Sequence, residues 1–167
     1  MNLLRRRGTC ATAVHGRLEA VNQRLELSAD ALVHVRAYRQ VSWWATEAGG
    51  QLFGTITPEL IRVVSATGPY PGDERSRNRY RSSPAAAQSA IRAQSLAGLL
   101  YLGEWHTHAE DRPDASGLDE EAMSLLLTRS QLNSNALLML IVGRRATVDG
   151  LALLTVARTQ VHKWALG

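Results

Sequence analysis

The stretch Leu99-Leu100-Tyr101-Leu102-Gly103-Glu104-Trp105-His106-Thr107-His108 decides how the chain is read. It opens as an apolar run and closes on two histidines one residue apart. Side chains two positions apart share a face of a strand, whereas a helix needs a spacing of three or four. Leu99 to Glu104 therefore reads as a core strand that delivers His106 and His108 on one side. Seven residues later comes Ser116, and then Asp119 near an expected helix start. Two imidazoles and one carboxylate make three zinc ligands and leave the fourth position for water, the pattern of a catalytic site rather than a structural one. Upstream, Glu47-Ala48-Gly49-Gly50-Gln51-Leu52-Phe53-Gly54 sets a carboxylate beside a glycine-rich strand start. Glu47 is suited to act as base on a metal-activated water.

Outward from these motifs, strands and helices alternate. Arg17 to Leu27 ends as a strand. Ser28 is an N-cap residue for a helix from Ala29 to Gln40. Gln51 to Ile56 and Glu59 to Ala66 read as a hairpin, with Gly49 and Gly50 allowing close backbone approach. Gly68-Pro69-Tyr70-Pro71-Gly72 breaks the chain, and the segment to Ser83 is polar and basic. Pro84 to Leu96 is an alanine-rich helix with Gly98 at its end. Asp119 to Arg129 is a helix with Met123, Leu125 and Leu126 inward. Ala136 to Val142 and Leu151 to Ala157 are apolar strands joined through the turn signal Asp149-Gly150. This alternation gives an α/β or α+β class.

At 167 residues, 45% hydrophobic and 20% charged, the chain fits one soluble globular domain spanning residues 18–167, with residues 1–17 a flexible end. No apolar run is long enough for a membrane span, and the basic start Met1 to Arg7 lacks the apolar stretch of a secretory signal. Cys10 is the single cysteine and reads as inert, which suits a reducing cytoplasm. The formal net charge is +4, carried by eighteen arginines and one lysine, Lys163. Such a balance favours acidic partners. No aromatic-interleaved stripe accompanies it, so nucleic acid is not the expected partner.

The combination of Glu47, His106-x-His108, seven residues, and Ser116-x-x-Asp119 resembles the JAB/JAMM metalloprotease family, also called the MPN domain. The similarity runs from about Leu25 to the C-terminus. It implies a curved mixed sheet flanked by helices and one zinc per chain, held by His106, His108 and Asp119. It also implies a catalytic pair in which Glu47 is the general base and Ser116 donates to the oxyanion. Capping the following helix is the other role open to Ser116. The phrase Tyr101 to His108 is most similar to the bacterial isopeptidases of CBASS and related antiphage operons, which act beside E1- and E2-like proteins. Those enzymes release a ubiquitin-like tag, or a nucleotidyltransferase used as one, from lysine. One departure is Ala109, where relatives often carry proline. The alternatives within the same fold are a sulfur-carrier-processing peptidase and a non-catalytic scaffold. Scaffold members typically lack ligands, whereas this set is complete.

The tract Arg75-Ser76-Arg77-Asn78-Arg79-Tyr80-Arg81 lies where relatives carry substrate-binding insertions. If extended, Arg75, Arg77, Arg79 and Arg81 share one face, suited to an acidic surface or an extended peptide tail. Trp105 and Thr107 alternate away from the histidines. Glu104 shares their side and is placed to orient a ligand imidazole.

Overall fold

The structure, a computed structural model, describes residues 12–130 and 134–167. Cys10 and the basic start lie outside the described residues. Eleven strands and three α-helices are present among those described: β1 Val14–Leu18, β2 Gln23–Leu27, α1 Ala29–Arg36, β3 Gly49–Ile56, β4 Leu60–Ala66, β5 Glu74–Ser76, β6 Arg79–Arg81, α2 Pro84–Leu96, β7 Leu100–Thr107, α3 Gly117–Arg129, β8 Ala136–Val142, β9 Leu151–Ala157, β10 Val161–Lys163 and β11 Ala165–Leu166. Nine strands form one curved mixed sheet in the order β10-β9-β8-β7-β3-β4-β2-β1-β11. The β2–β4 and β7–β8 pairs are parallel. β5 and β6 form a separate hairpin.

The interior strand β8 is buried on both faces. Leu138, Leu140 and Val142 join the core under α1, while Leu137, Met139 and Ile141 join the core under α3. Burying a side chain of that size is worth about 1.5–3 kcal/mol. Six in a row outweigh any surface ion pair, so β8 anchors its parallel neighbour β7. The register pairs His106 of β7 with Ile141 of β8.

Four expectations are corrected. The loose end through residue 17 fails from Val14 onward, because Val14 and Leu18 are core residues and β1 pairs with both β2 and β11. α1 stops at Arg36 instead of Gln40. The chain turns there so that Tyr38 packs 5.8 Å from Trp105 and the Gln40 side chain is buried, donating to the carbonyls of Ala45 and Arg77. In α3, Met123 and Leu127 are buried while Leu125 is exposed. Leu125 lies two residues, about 200° of helical rotation, from Met123, on the opposite side. The β8–β9 connection is also longer than a tight hairpin. Val142 pairs with Leu151, and a short 3-10 turn at Val148–Gly150 fills part of the loop.

Gly50 makes the close approach expected of it. A Cβ there would stand 1.8 Å from the Thr67 carbonyl oxygen, which also accepts the Trp105 indole N–H at 2.8 Å. The clash is with backbone and cannot be relieved by a rotamer change. Gly50→Ala should therefore destabilise the fold by about 3 kcal/mol, the upper part of the range for overpacking. Urea unfolding measures this, and a loss below about 1 kcal/mol would show that the 67–83 segment moves aside freely.

Candidate metal centre

The β3–β7 ladder sets the geometry. Gly49 pairs with His106, and the same antiparallel register continues past the strand ends, where the Thr107 N–H donates to the Ala48 carbonyl at 2.8 Å. Glu47 therefore stands across from His108, on the face that carries both imidazoles. Trp105 and Thr107 point the other way and are fully buried. The Thr107 hydroxyl accepts the Ala48 N–H at 3.0 Å and donates to Gln40 Oε1 at 3.2 Å. Thr107 thus ties the histidine strand to the segment that holds Glu47.

α3 delivers the third candidate ligand. Ser116 is its N-cap, and Ser116 with Asp119 forms a reciprocal capping box. Asp119 Oδ2 accepts from the Ser116 N–H at 2.8 Å and from the Ser116 hydroxyl at 2.7 Å. The same carboxylate reaches His106 Nε2 at 3.3 Å and His108 Nε2 at 3.4 Å. The two Nε2 atoms are 3.1 Å apart. A tetrahedral site with bonds of about 2.0–2.1 Å has edges of about 3.3–3.4 Å. The separations lie close to those edges, with Oδ1 facing His106 and Oδ2 facing His108, and one donor atom from each residue lies within 4.8 Å of the other two. These are the three residues among those described whose donor atoms converge in this way. His108 Nδ1 faces the Glu110 carboxylate at 3.7 Å, which leaves Nε2 directed at the shared point.

The electrostatics agree with the geometry. Burial alone would raise the Asp119 carboxyl, but hydrogen bonds from His106 and His108 hold it well below the usual carboxylate range. The Asp119 contact raises His108 against the opposing effect of burial. Glu47 is 9% exposed. Burial pushes its carboxyl up to about 7, with His108 opposing and Asp119 adding to the rise. A carboxyl that titrates near neutrality is tuned for proton transfer.

Glu104 does not orient an imidazole. Its carboxyl accepts from the Tyr101 hydroxyl at 2.5 Å and from Gln51 Nε2 at 3.0 Å, because the register shift that leaves Leu102 of β7 without a partner on β3 brings Tyr101 onto its side. The arginine tract also departs from its extended reading. It folds back at Arg77-Asn78, with Arg75 opposite Tyr80, Ser76 opposite Arg79 and Glu74 opposite Arg81. Arg79 and Arg81 thus lie on one hairpin face and Arg75 on the other, since cross-strand partners share a face. Asp73 closes the base of this segment by accepting from the Tyr70 and Ser83 N–H groups, each at 2.7 Å. Two features escaped the sequence. Arg75 Nε donates to the Glu47 carbonyl at 2.6 Å, a contact between distant segments that no local pattern announces. Trp43 and Trp44 are 76% and 69% exposed and stand edge to face on the loop before Glu47, where the doublet was itself a visible signal.

A profile of prokaryotic homologs of the JAB domain matches residues 29–159. This chain belongs to the JAB family. Among JAB relatives, one from Pseudomonas aeruginosa named CD-NTase/cGAS isopeptidase is 34% identical over 73% of this chain and 78% of its own length. A Vibrio cholerae protein of the same name is 35% identical over 65% of this chain and 69% of its own. The solution structure of protein DSY2949 from Desulfitobacterium hafniense shares the fold, with a TM-score of 0.55 and 18% identity over 79% of this chain and 81% of that one. The expected curved mixed sheet flanked by helices is thus the observed one. The JAB membership and the isopeptidase relatives support a peptidase. Among the described residues no helix is long and apolar enough to cross a membrane.

Proposed function

We propose that this JAB protein is a zinc-dependent isopeptidase that hydrolyses the amide joining the C-terminus of a protein tag to a lysine. The observation that carries this is the convergence of the His106 and His108 Nε2 atoms, 3.1 Å apart, with the Asp119 carboxylate, which sets one oxygen 3.3 Å from the first and the other 3.4 Å from the second, on the face that also carries the buried Glu47. When bound, zinc supplies a Lewis acid that acidifies a coordinated water toward neutrality and polarises the scissile carbonyl. His106, His108 and Asp119 would hold it. Glu47 takes the proton of the attacking water on its carboxylate and passes it to the leaving lysine amine. Ser116 is proposed as the oxyanion donor. Its hydroxyl proton rests on Asp119 Oδ2 and must turn toward the substrate once a cation engages that carboxylate. No residue forms a covalent intermediate, so the products are a tag with a free carboxylate and an unmodified amine.

The tag is proposed to be a CD-NTase or a ubiquitin-like protein, the first on the strength of the relatives' names. An E1- and E2-like pair would build the bond, and the setting would be cytoplasmic antiphage defence. The test joins the CD-NTase of the same genome through its C-terminal carboxyl to a lysine ε-amine. Intact mass spectrometry after incubation with the zinc-loaded protein should find both free components. Cleavage elsewhere, or none with zinc bound, sinks the assignment.

Arg77, Arg79 and Arg81 are exposed and carry the proposed substrate capture. Exposed charges steer encounter and are screened by salt. Replacing the three with serine should raise KM about five- to tenfold, with each charge worth up to about 1 kcal/mol at an exposed site. It should flatten the salt dependence of KM and leave kcat within about twofold. A fall in kcat at saturating conjugate would count against a capture role.

A further inference from the structure

Glu47 lies outside every strand and helix, one residue beyond the Ala48 contact with β7 and two before β3 begins. Its main chain is nevertheless fully satisfied, and by a single dipeptide. The Glu47 N–H donates to the Ser76 carbonyl at 2.7 Å, and the Glu47 carbonyl accepts from Arg75 Nε at 2.6 Å. Both partners lie on β5, across the chain from Glu47. The Arg75 face of the hairpin also carries Tyr80, and a Cβ added to Gly49 would meet Tyr80 Cε1 at 2.4 Å. That face is therefore docked on the segment that starts β3, while Arg79 and Arg81 occupy the opposite face. Gln40 Nε2 holds the turn through the Arg77 carbonyl at 2.8 Å, and Asp73 holds the base. The hairpin is thus anchored at three points that do not involve the Arg75 side chain.

We propose that Arg75 is a positioning residue for Glu47. Its Nε–H fixes the Glu47 peptide plane and so the direction of the carboxylate. Ser76 assists it at the Glu47 N–H, and the Thr107 hydroxyl holds the other edge of the Glu47–Ala48 peptide through the Ala48 N–H. The role differs from that of the other arginines in the tract, and it depends on a donor at Nε rather than on positive charge. Misplacing a reacting group by about 1 Å costs on the order of a hundredfold in rate. The inference rests on the isopeptidase reading for its kinetic consequence and on the contact alone for its structural one.

Two near-isosteric variants separate donor from charge. Arg75→Gln places an amide N–H where Nε stands, without the charge. Arg75→Met fills the same length with no donor. With the lysine-linked CD-NTase conjugate as substrate, Arg75→Met should lose about 10- to 100-fold in kcat with KM within about twofold and zinc content unchanged. Arg75→Gln should keep kcat within about threefold of the native protein. Hydrogen exchange reads the contact without turnover: the Ala48 amide, which shares a peptide plane with the Glu47 carbonyl, should lose protection in Arg75→Met and keep it in Arg75→Gln. A native protein that leaves the conjugate intact overturns the isopeptidase reading, and the exchange result then decides this proposal alone. Equal protection and kcat in Arg75→Met overturns it. So does equal impairment of both variants, or a rise in KM at constant kcat, which would make Arg75 a capture residue like its neighbours.

Discussion

Glu47→Gln should abolish most turnover while leaving the metal in place. The substitution keeps the shape and removes the base. Losing a general base typically costs about 10²–10⁴-fold in kcat. The three proposed ligands are untouched, so zinc content by elemental analysis should equal that of the native protein, one per chain on this reading. A mutant that binds zinc and cleaves at the native rate would remove Glu47 from the mechanism. The same change should stabilise the metal-free protein. The Glu47 carboxyl rises from its ordinary 4.5 to about 7 on folding, chiefly by burial. Below pH 4.5 it is protonated in both folded and unfolded chains, and the variant gains nothing. Between 4.5 and 7 the unfolded chain ionises first, so native stability falls as pH rises and then levels off above 7. Glutamine escapes that loss. At pH 8 it should gain about 1–3 kcal/mol, seen as a rise of several degrees in Tm. A gain of the same size at pH 4 would mean that packing, not ionisation, is responsible. Activity and stability pull in opposite directions at this position, as expected where function needs a desolvated carboxylate.

Removing both imidazoles should have the other large effect. His106→Ala with His108→Ala leaves Asp119 as the sole ligand, and one carboxylate does not hold zinc against buffer. Elemental analysis should find essentially no zinc, and conjugate cleavage should fall to background. The loaded native protein should also lose Tm on chelation. With free zinc at about a thousand times Kd, binding contributes about 4 kcal/mol, or roughly 8–16 °C for a chain of this size. The double variant should show no such shift. Full zinc occupancy in it would refute the ligand assignment. Zinc affinity should also weaken as pH falls through the raised His108 pKa, because a proton and the metal compete for the same nitrogen.

Much of this site was legible in the chain. Period-two alternation put His106 and His108 on one face and sent Trp105 and Thr107 into the core, and the buried Trp105 and Thr107 follow that rule. The boundaries of α2 and β8 coincide with the expected ones, since Pro84 and Ser83 mark a helix start and the apolar run Ala136 to Val142 has polar flanks. Local signals failed where a distant segment competed for the same residues. Gln40 had helix propensity, yet its amide is used by Arg77 and Thr107, so α1 ends early. Glu104 had the correct phase for an imidazole, yet the register shift at Leu102 gave it to Tyr101 and Gln51.

Sequence alone determined the family and picked out His106, His108 and Asp119 as residues that would converge, with Glu47 as the carboxylate opposite them, because each depends on residue type at short spacing and on strand periodicity. Tertiary structure decided which arginine touches Glu47 and which three do not. Residues 47 and 75 meet only because β5 folds back at Arg77-Asn78, is stapled by Asp73 and packs Tyr80 over a glycine. Such a contact is written in no local pattern. It arises from satisfying the buried main-chain groups of one segment with donors and acceptors from another, and that pairing is settled only when the whole chain has folded.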